Sequence, residues 1–548
     1  MFGWLGRERG LIWSVVIGYL FLPEALTFPL TGLPDYDKLL AISLGVVLGS
    51  AIFFRKPSFA TKLVLPPPRD MQQEISEIWA DLLDMDVEDV PRDKSFLELG
   101  GSKSRMRAAV RQMIDIGVTS DVARKLYNGA TVRDLVRVMP LEGPRQRAAP
   151  SLTVLSYLIL TVLLFSTVMT VLTNGDPLVA DVSIRPALSL QDVISMVAEP
   201  VIMMIPFLFA LAFLKGQSAQ LEVARAVVIL GVFYAVLAGF EARMSPQLNI
   251  WVYGYFQHSW VQHLRDGFRP IVFLSHGLSV GFFLLSVVVM AFGLYRCTKD
   301  KSRILYLFAG LFVFFVLAIS RNLGAFMLAA VFVPIALFAP RWVQLRVAVL
   351  TVIFFLVYPA VWQSQILPVD RFMEFVTSIS EERAQTLQYR LDNEADMLVR
   401  AAERPIFGWG GWDRWRVFDE FGRDTTTADG LWVITLGERG WVGYVCFFLI
   451  LTLPMFFLVR SVRRKESSHV LPAMSLIMAA NLLYMIPNST LSPIGWMIMG
   501  TVAAFVRWHL VEVDPEQQEE DAPQRSQSVY TRFERKHFRP ARGNLSRQ

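Results

Sequence analysis

The sequence predicts an all-α, polytopic membrane protein of about twelve transmembrane helices, with a large outer loop and a small cytosolic helical bundle inserted near its start. Three observations predict it. Of 548 residues, 53% are hydrophobic and only 18% charged, with a mean hydropathy of +0.42, too apolar for an ordinary water-soluble chain. The apolar residues fall in blocks of roughly 17 to 25, the length that crosses a bilayer core as helix. Counted alternately, the short basic loops between blocks all fall on one side, as the positive-inside rule requires.

In order the blocks are Leu11–Leu30, Lys38–Phe54, Ser151–Leu172, Val193–Leu214, Ala224–Phe240, Pro270–Leu294, Ile304–Ile319, Asn322–Phe338, Val347–Trp362, Leu431–Leu458, Leu471–Ile486 and Ser492–Val506. A large soluble enzyme buries one or two such runs, not all of them. Arg7 and Arg9 precede the first block, and Arg55 and Lys56 follow the second. Arg296, Lys299, Lys301 and Arg303 follow the sixth, Arg341 and Arg346 the eighth, and Arg460, Arg463, Arg464 and Lys465 the tenth. These clusters put the N- and C-termini in the cytosol. The net charge of +5 then reflects topology and headgroup contact rather than nucleic acid, for which no motif is present. Glu24 and two prolines in the first block argue against a removable signal peptide. Cys297 and Cys446 form no disulfide or metal set.

The domain reading follows. Residues 1–65 hold the first two spans and residues 66–145 an insert. Residues 146–510 form the main membrane domain, with an outer loop at 363–430. Residues 511–548 make a polar, basic cytosolic tail expected to be disordered. The insert opens on a stiff linker, Pro66–Pro68. An amphipathic helix follows, with Ile75, Ile78, Trp79 and Leu82 at helical spacing, then "FLELGG", a second helix from near Ser102, and a third from Thr131. Phe96, Glu98, Leu99, Gly100 and Gly101 resemble the loop of acyl and peptidyl carrier domains, which sets a phosphopantetheinylated serine at the start of its second helix. Lys103 stands at that serine's place, between Ser102 and Ser104. The resemblance implies one of two things: 4′-phosphopantetheine on Ser102 or Ser104, or an armless bundle on which cytosolic biosynthetic enzymes dock.

The outer loop begins as a helix with Leu391, Leu398, Ala401 and Ala402 along one face. It breaks at Pro405, turns on Gly408, Gly410 and Gly411, and returns to apolar sequence at Asp429. The order of an arginine-bearing helix (Arg390), "RPIFGWG", Asp429 and "LGERGWVG" resembles the O-antigen ligase and O-antigen polymerase family of bacterial envelope glycan assembly. Glu438, Gly440 and Gly443 take that family's Glu and Gly positions, while Gly430 stands where the family carries Asn. "AISRNLGAFMLAA" is similar to the family's step between two spans and supplies Arg321. The stretch before the sixth span adds Arg265, Arg269 and His276. The resemblance covers roughly Ser151 to Val506.

That resemblance implies transfer of a saccharide from a polyprenyl pyrophosphate to a hydroxyl of a glycan or lipid acceptor, at the outer face of the bacterial cytoplasmic membrane. It implies catalytic roles for Asp429, Arg390 and Arg321, and substrate contacts from Arg269, Arg265 and His276. Guanidinium forks suit phosphate oxygens and stabilise charge on the departing pyrophosphate without a metal. A carboxylate at a low-dielectric edge, its pKa raised by desolvation, suits proton abstraction from the acceptor. No metal ligands and no cofactor for the transfer itself are expected. Glu438 is expected to be structural, paired with Arg439 or a neighbouring helix, and Arg390 or Arg321 to orient Asp429. Trp409, Trp412 and Trp415 suit either an interfacial belt or stacking on sugars. Polymerase and ligase stay open. So do two readings of other classes: a transporter of the lipid-linked saccharide, and a membrane-anchored carrier of an acyl-transfer pathway.

Overall fold

A chain in hydrocarbon must satisfy its own backbone hydrogen bonds, so long apolar runs fold as helices. The computed structural model describes residues 1–29, 34–53, 71–91, 93–115, 123–138, 150–180, 183–259, 263–264, 267–364, 366, 369–379, 381–419, 421–462, 470–489 and 491–508. Beside two short helices, Phe2–Leu5 and Leu248–Tyr253, its helices in order are α1 (Arg7–Phe21), α2 (Lys38–Ile52), α3 (Met71–Leu83), α4 (Lys103–Asp115), α5 (Val132–Val138), α6 (Pro150–Leu172), α7 (Leu190–Phe213), α8 (Gln217–Met244) and α9 (Gly277–Cys297). They continue with α10 (Ser302–Ile319), α11 (Leu323–Phe338), α12 (Arg341–Gln363), α13 (Val369–Ile379), α14 (Glu381–Ala402), α15 (Leu431–Val462), α16 (Val470–Tyr484) and α17 (Pro493–Trp508). A two-stranded antiparallel hairpin pairs Leu178 with Arg185.

Among the described residues, seven helices are long and apolar enough to cross a membrane: α6 to α10, α12 and α15. Four shorter apolar helices, α2, α11, α16 and α17, lie among them. Every apolar block of the sequence carries a helix, but the helix of the sixth starts only at Gly277, after a loop from Pro270, and that of the first ends before its block does. The helix α1 stops at Phe21, and Leu22 is extended (ψ 146°), because the ring of Pro23 disfavours helical geometry in the residue before it.

The described residues divide into two compact units. In the larger, α9 is enclosed along nearly its whole length. Its 21 residues span about 31 Å, close to the thickness of a hydrocarbon core. The two ends of this unit differ chemically. Arg296 at the C-terminal end of α9 donates to the carbonyls of Ala336 and Ala339. At the start of α1, Arg7 stacks on Phe213 and lies near Lys215 and Arg507. The opposite end holds the N-termini of α9, α11 and α15, the loop before α9, and the chain that follows α14.

The smaller unit is the predicted bundle. Ile75, Trp79, Phe96, Met106, Ala109, Met113, Val132 and Leu135 make its core, with Trp79 edge-on to Phe96 at 5.2 Å. Gly101 lies against that ring; a Cβ there would meet it at 2.3 Å. Ser102 precedes α4 and accepts from the Arg105 N–H, and its hydroxyl is 2.9 Å from that of Ser104. Both serines and Lys103 are exposed. The linker at 54–70 and the tail from 509 lie outside the described residues.

Candidate functional site

The site is built where α9, α11, α14 and α15 meet, and each side chain has a local cause for its position. Glu241, at the end of α8, accepts from the amides of Leu248, Ile271 and Val272. Gln257 donates to the Val272 and Leu274 carbonyls. These bonds satisfy the backbone of the loop before α9, which no regular ladder could do. The loop in turn presents Arg269, whose amide bonds the His263 carbonyl and whose stem lies over Gly277. His276 caps α9 by accepting from the Leu278 amide at 2.9 Å.

Arg321 sits in the turn between α10 and α11 with φ 56°, a left-handed conformation that non-glycine residues seldom adopt. Its neighbour Asn322 holds that turn. Asn322 caps α11 through Ala325, donates to the Gly277 carbonyl and accepts from the Tyr484 hydroxyl. The Arg321 guanidinium lies on Gly267, where a Cβ would be 2.7 Å from its nitrogen. Only glycine permits that approach, so Arg321 stands two residues from Arg269.

Arg390, on α14, pairs with Asp429 at 3.4 Å and donates to the Pro487 carbonyl. Of the two arginines expected to orient Asp429, Arg390 therefore does so. The strand before α15 is tied to the same helix: Asn393 accepts from the Thr427 amide at 2.8 Å, and the Tyr389 and Thr427 hydroxyls are 2.9 Å apart. The α15 terminus docks on the end of α16, with the Leu431 amide bonded to the Met485 and Asn488 carbonyls. There the departure at Gly430 has its reason. A Cβ would fall 2.3 Å from the Ile486 carbonyl oxygen, so no asparagine fits.

"LGERGWVG" is a helix interruption. Gly440 has φ 61° and ψ −173° within α15, and "PIFGWG" from the loop after α14 fills the gap. The Trp409 and Gly410 amides bond the Gly437 and Glu438 carbonyls, and the Trp441 and Val442 amides bond those of Pro405 and Ile406. A Cβ on Gly408 would lie 2.5 Å from Gly440 N, and one on Gly440 would lie 2.4 Å from Ile406 O. Arg439 turns to α7, donating to the Met196 carbonyl and facing Glu199 at 3.8 Å. Trp409 is covered by the guanidiniums of Arg400 and Arg404 at 3.5 and 4.5 Å. Trp409 and Trp415 are thus buried packing residues, while Trp412 is exposed and donates to Asp192.

Two features escape the linear sequence. The buried face of α14 includes Asn393 and Glu394 beside Met397, Leu398 and Ala401, whereas Ala402 is exposed. Glu394 lies one turn beyond Arg390, and burial pushes its carboxyl up to about 8, with the Asp429 charge adding and Trp432 and Arg390 opposing. Asp429 is also raised by burial, against the pull of Arg390. The second feature is a cluster of His258, His263 and His276, whose ligand nitrogens lie within 4.8 Å of one another, where no metal set was expected. Burial, then the His258 and Arg269 charges, holds His263 down at about 4; burial, then Arg269, holds His276 down at about 3, with Arg390 contributing. Both imidazoles are neutral at physiological pH.

The site thus joins Arg390 directly to Asp429, Arg269 to the histidines, and Arg321 to the loop bearing Arg269. Arg265 lies outside the described residues. Chemically the arrangement offers cationic forks, neutral imidazoles and two carboxylates of unequal acidity beside several helix N-termini, a setting that favours a bound anion. Set against known proteins, the chain matches no protein-family model and no curated protein.

Proposed function

We propose that the chain is a membrane glycosyltransferase that passes a saccharide from a polyprenyl diphosphate to an acceptor hydroxyl at the outer face of a bacterial cytoplasmic membrane. The observation that carries this reading is the Arg390–Asp429 pair, set among further arginines at the end of the helices opposite the basic clusters. In the proposed step the acceptor oxygen attacks the anomeric carbon and the bond from that carbon to the diphosphate oxygen breaks. The acceptor proton passes to Asp429, and polyprenyl diphosphate leaves against Arg269, Arg321 and Arg390. Glu394, holding its own proton at neutral pH, leaves Asp429 as the ionised base; environment separates two carboxylates into two roles.

On this reading the apolar helices make twelve spans with both termini cytosolic, and the bundle between α2 and α6 faces the biosynthetic enzymes. Purified protein in vesicles, supplied with a labelled lipid-linked saccharide, should build labelled product. Asp429→Asn and Arg390→Ala should lose it at unchanged protein level, and full product from Asp429→Asn would remove the base assignment. Mass measurement after exposure to a phosphopantetheinyl transferase and coenzyme A decides between a loaded and an armless bundle. A gain abolished by the paired Ser102→Ala and Ser104→Ala changes means a loaded arm.

A further inference from the structure

His263 is completely buried, and neither of its ring nitrogens has a hydrogen-bond partner. His258 Nδ1 is buried without one as well. A neutral imidazole carries one donor and one acceptor, and leaving either unmade in a buried place is unfavourable. A fold retains such a cost where something other than the polypeptide occupies the gap. The third ring, His276, stands 4.5 Å from His258 and 5.2 Å from His263, centroid to centroid.

We propose that His258, His263 and His276 bind one divalent first-row transition metal ion, with zinc the simplest occupant. The donor set decides the class: three imidazoles, with no thiolate and no carboxylate in the cluster, suit zinc, cobalt, nickel or copper and not calcium or magnesium. A tetrahedral ion with bonds of about 2.0–2.1 Å needs its ligand nitrogens about 3.3 Å apart. The present spacing of up to 4.8 Å must contract on binding. His276 is the weakest of the three ligands. Its Nδ1 accepts from Leu278, so binding through Nε2 moves the ring proton to Nδ1 and gives up that cap.

Charge then specifies the fourth position. Three neutral ligands leave the ion's two charges uncompensated, and Arg269 already acts on two of the rings. An anion is needed to complete the site, and three protein ligands with one open position is the arrangement of a catalytic rather than a structural zinc. That the anion is a diphosphate oxygen rests on the transferase reading; the metal site itself does not.

The test uses the full chain in detergent, stripped with a chelator and dialysed against zinc alone or zinc with inorganic pyrophosphate, followed by metal analysis. One ion per chain should bind, more tightly with pyrophosphate. His263→Ala should weaken binding at least as much as the roughly 10–100-fold that losing a supporting partner costs. His258→Ala serves as the second variant should His263→Ala fail to fold, and Cys297→Ser should leave uptake unchanged. Absence of zinc uptake by the native chain, or undiminished uptake in both histidine variants, overturns the site. Uptake indifferent to pyrophosphate overturns the anionic fourth ligand. Intact metal binding in a chain that transfers no saccharide sinks the transferase reading and leaves the site standing.

Discussion

Glu394→Gln isolates the electrostatic cost of the buried face of α14. Glu394 is only 6% exposed, and its carboxyl rises from 4.5 to about 8. The folded chain therefore keeps a proton that the unfolded chain releases between pH 4.5 and 8. Stability from this group is greatest below pH 4.5, falls as pH rises through that window, and stops falling above about 8. At pH 7 the cost of holding the proton is about 3 kcal/mol. Glutamine has the shape of the protonated acid and no charge to suppress. The variant should be more stable than the native chain at pH 7, by up to about that amount, and the advantage should vanish near pH 4.5. Thermal unfolding in detergent, followed by tryptophan fluorescence from pH 4.5 to 8.5, reads both quantities. A variant less stable at pH 7 would mean that Glu394 is ionised against Arg390, and an advantage equal at every pH would mean that burial is not the cause. Either result refutes the two-carboxylate assignment.

Gly440→Ala should cost more than the roughly 1–3 kcal/mol of holding a non-glycine residue at positive φ with extended ψ, because its Cβ also meets Ile406 O; folded yield and melting temperature in detergent report it. Gly430→Asn should lower folded yield, since its Cβ has no room beside Ile486; a well-folded variant would contradict the packing described. Asn393→Ala should cost about 1–3 kcal/mol by leaving the Thr427 amide unpaired, and should lower kcat more than it raises KM, as expected when a base is loosened and donor binding is spared.

The parts legible in the sequence are those whose cause is local. A hydrocarbon-length run announces a helix because its period and length are written along the chain; the first block overreaches at Leu22, where Pro23 stops the helix, and the sixth at Pro270, where the apolar residues before Gly277 form a loop. Arg390 and Asp429 were found because a short ordered pattern surrounds each. Glu394 was not, because in "QYRLDNEADMLVR" a glutamate one turn after an arginine looks like any solvated face. Its surroundings come from far off in sequence: Trp432 and Tyr358, edge to face at 4.9 Å, both lie near its carboxyl. His258 and His263 stand at a metal-ligand spacing, with four residues between them, but nothing in the sequence ties His276 to that pair. A loop whose shape is imposed by Glu241 and Gln257 brings them together, and nothing near them in the chain specifies it. Nothing near Gly430 in the chain says why a glycine stands there; the Ile486 carbonyl that requires it comes from the turn after α16.

The interrupted α15 explains how the loop between α14 and α15 can hold the Arg390–Asp429 pair in register. A break inside an apolar helix frees backbone groups that hydrocarbon cannot satisfy, and "PIFGWG" supplies the four missing bonds across Gly440. That fixes the chain just after α14. Asn393 and Tyr389 fix it again just before α15, at Thr427. The segment between is thus tied at both ends to the two helices it joins, and Arg390 and Asp429 face each other across the closed loop. Reaching a productive geometry calls for placement within a fraction of an ångström by supporting contacts, and these two ties provide it. The arginine helix, the glycine-rich turn, the aspartate and the "LGERG" break are therefore one mechanical unit. Loosening any of them should reach Asp429, even from Gly440, which touches neither member of the pair.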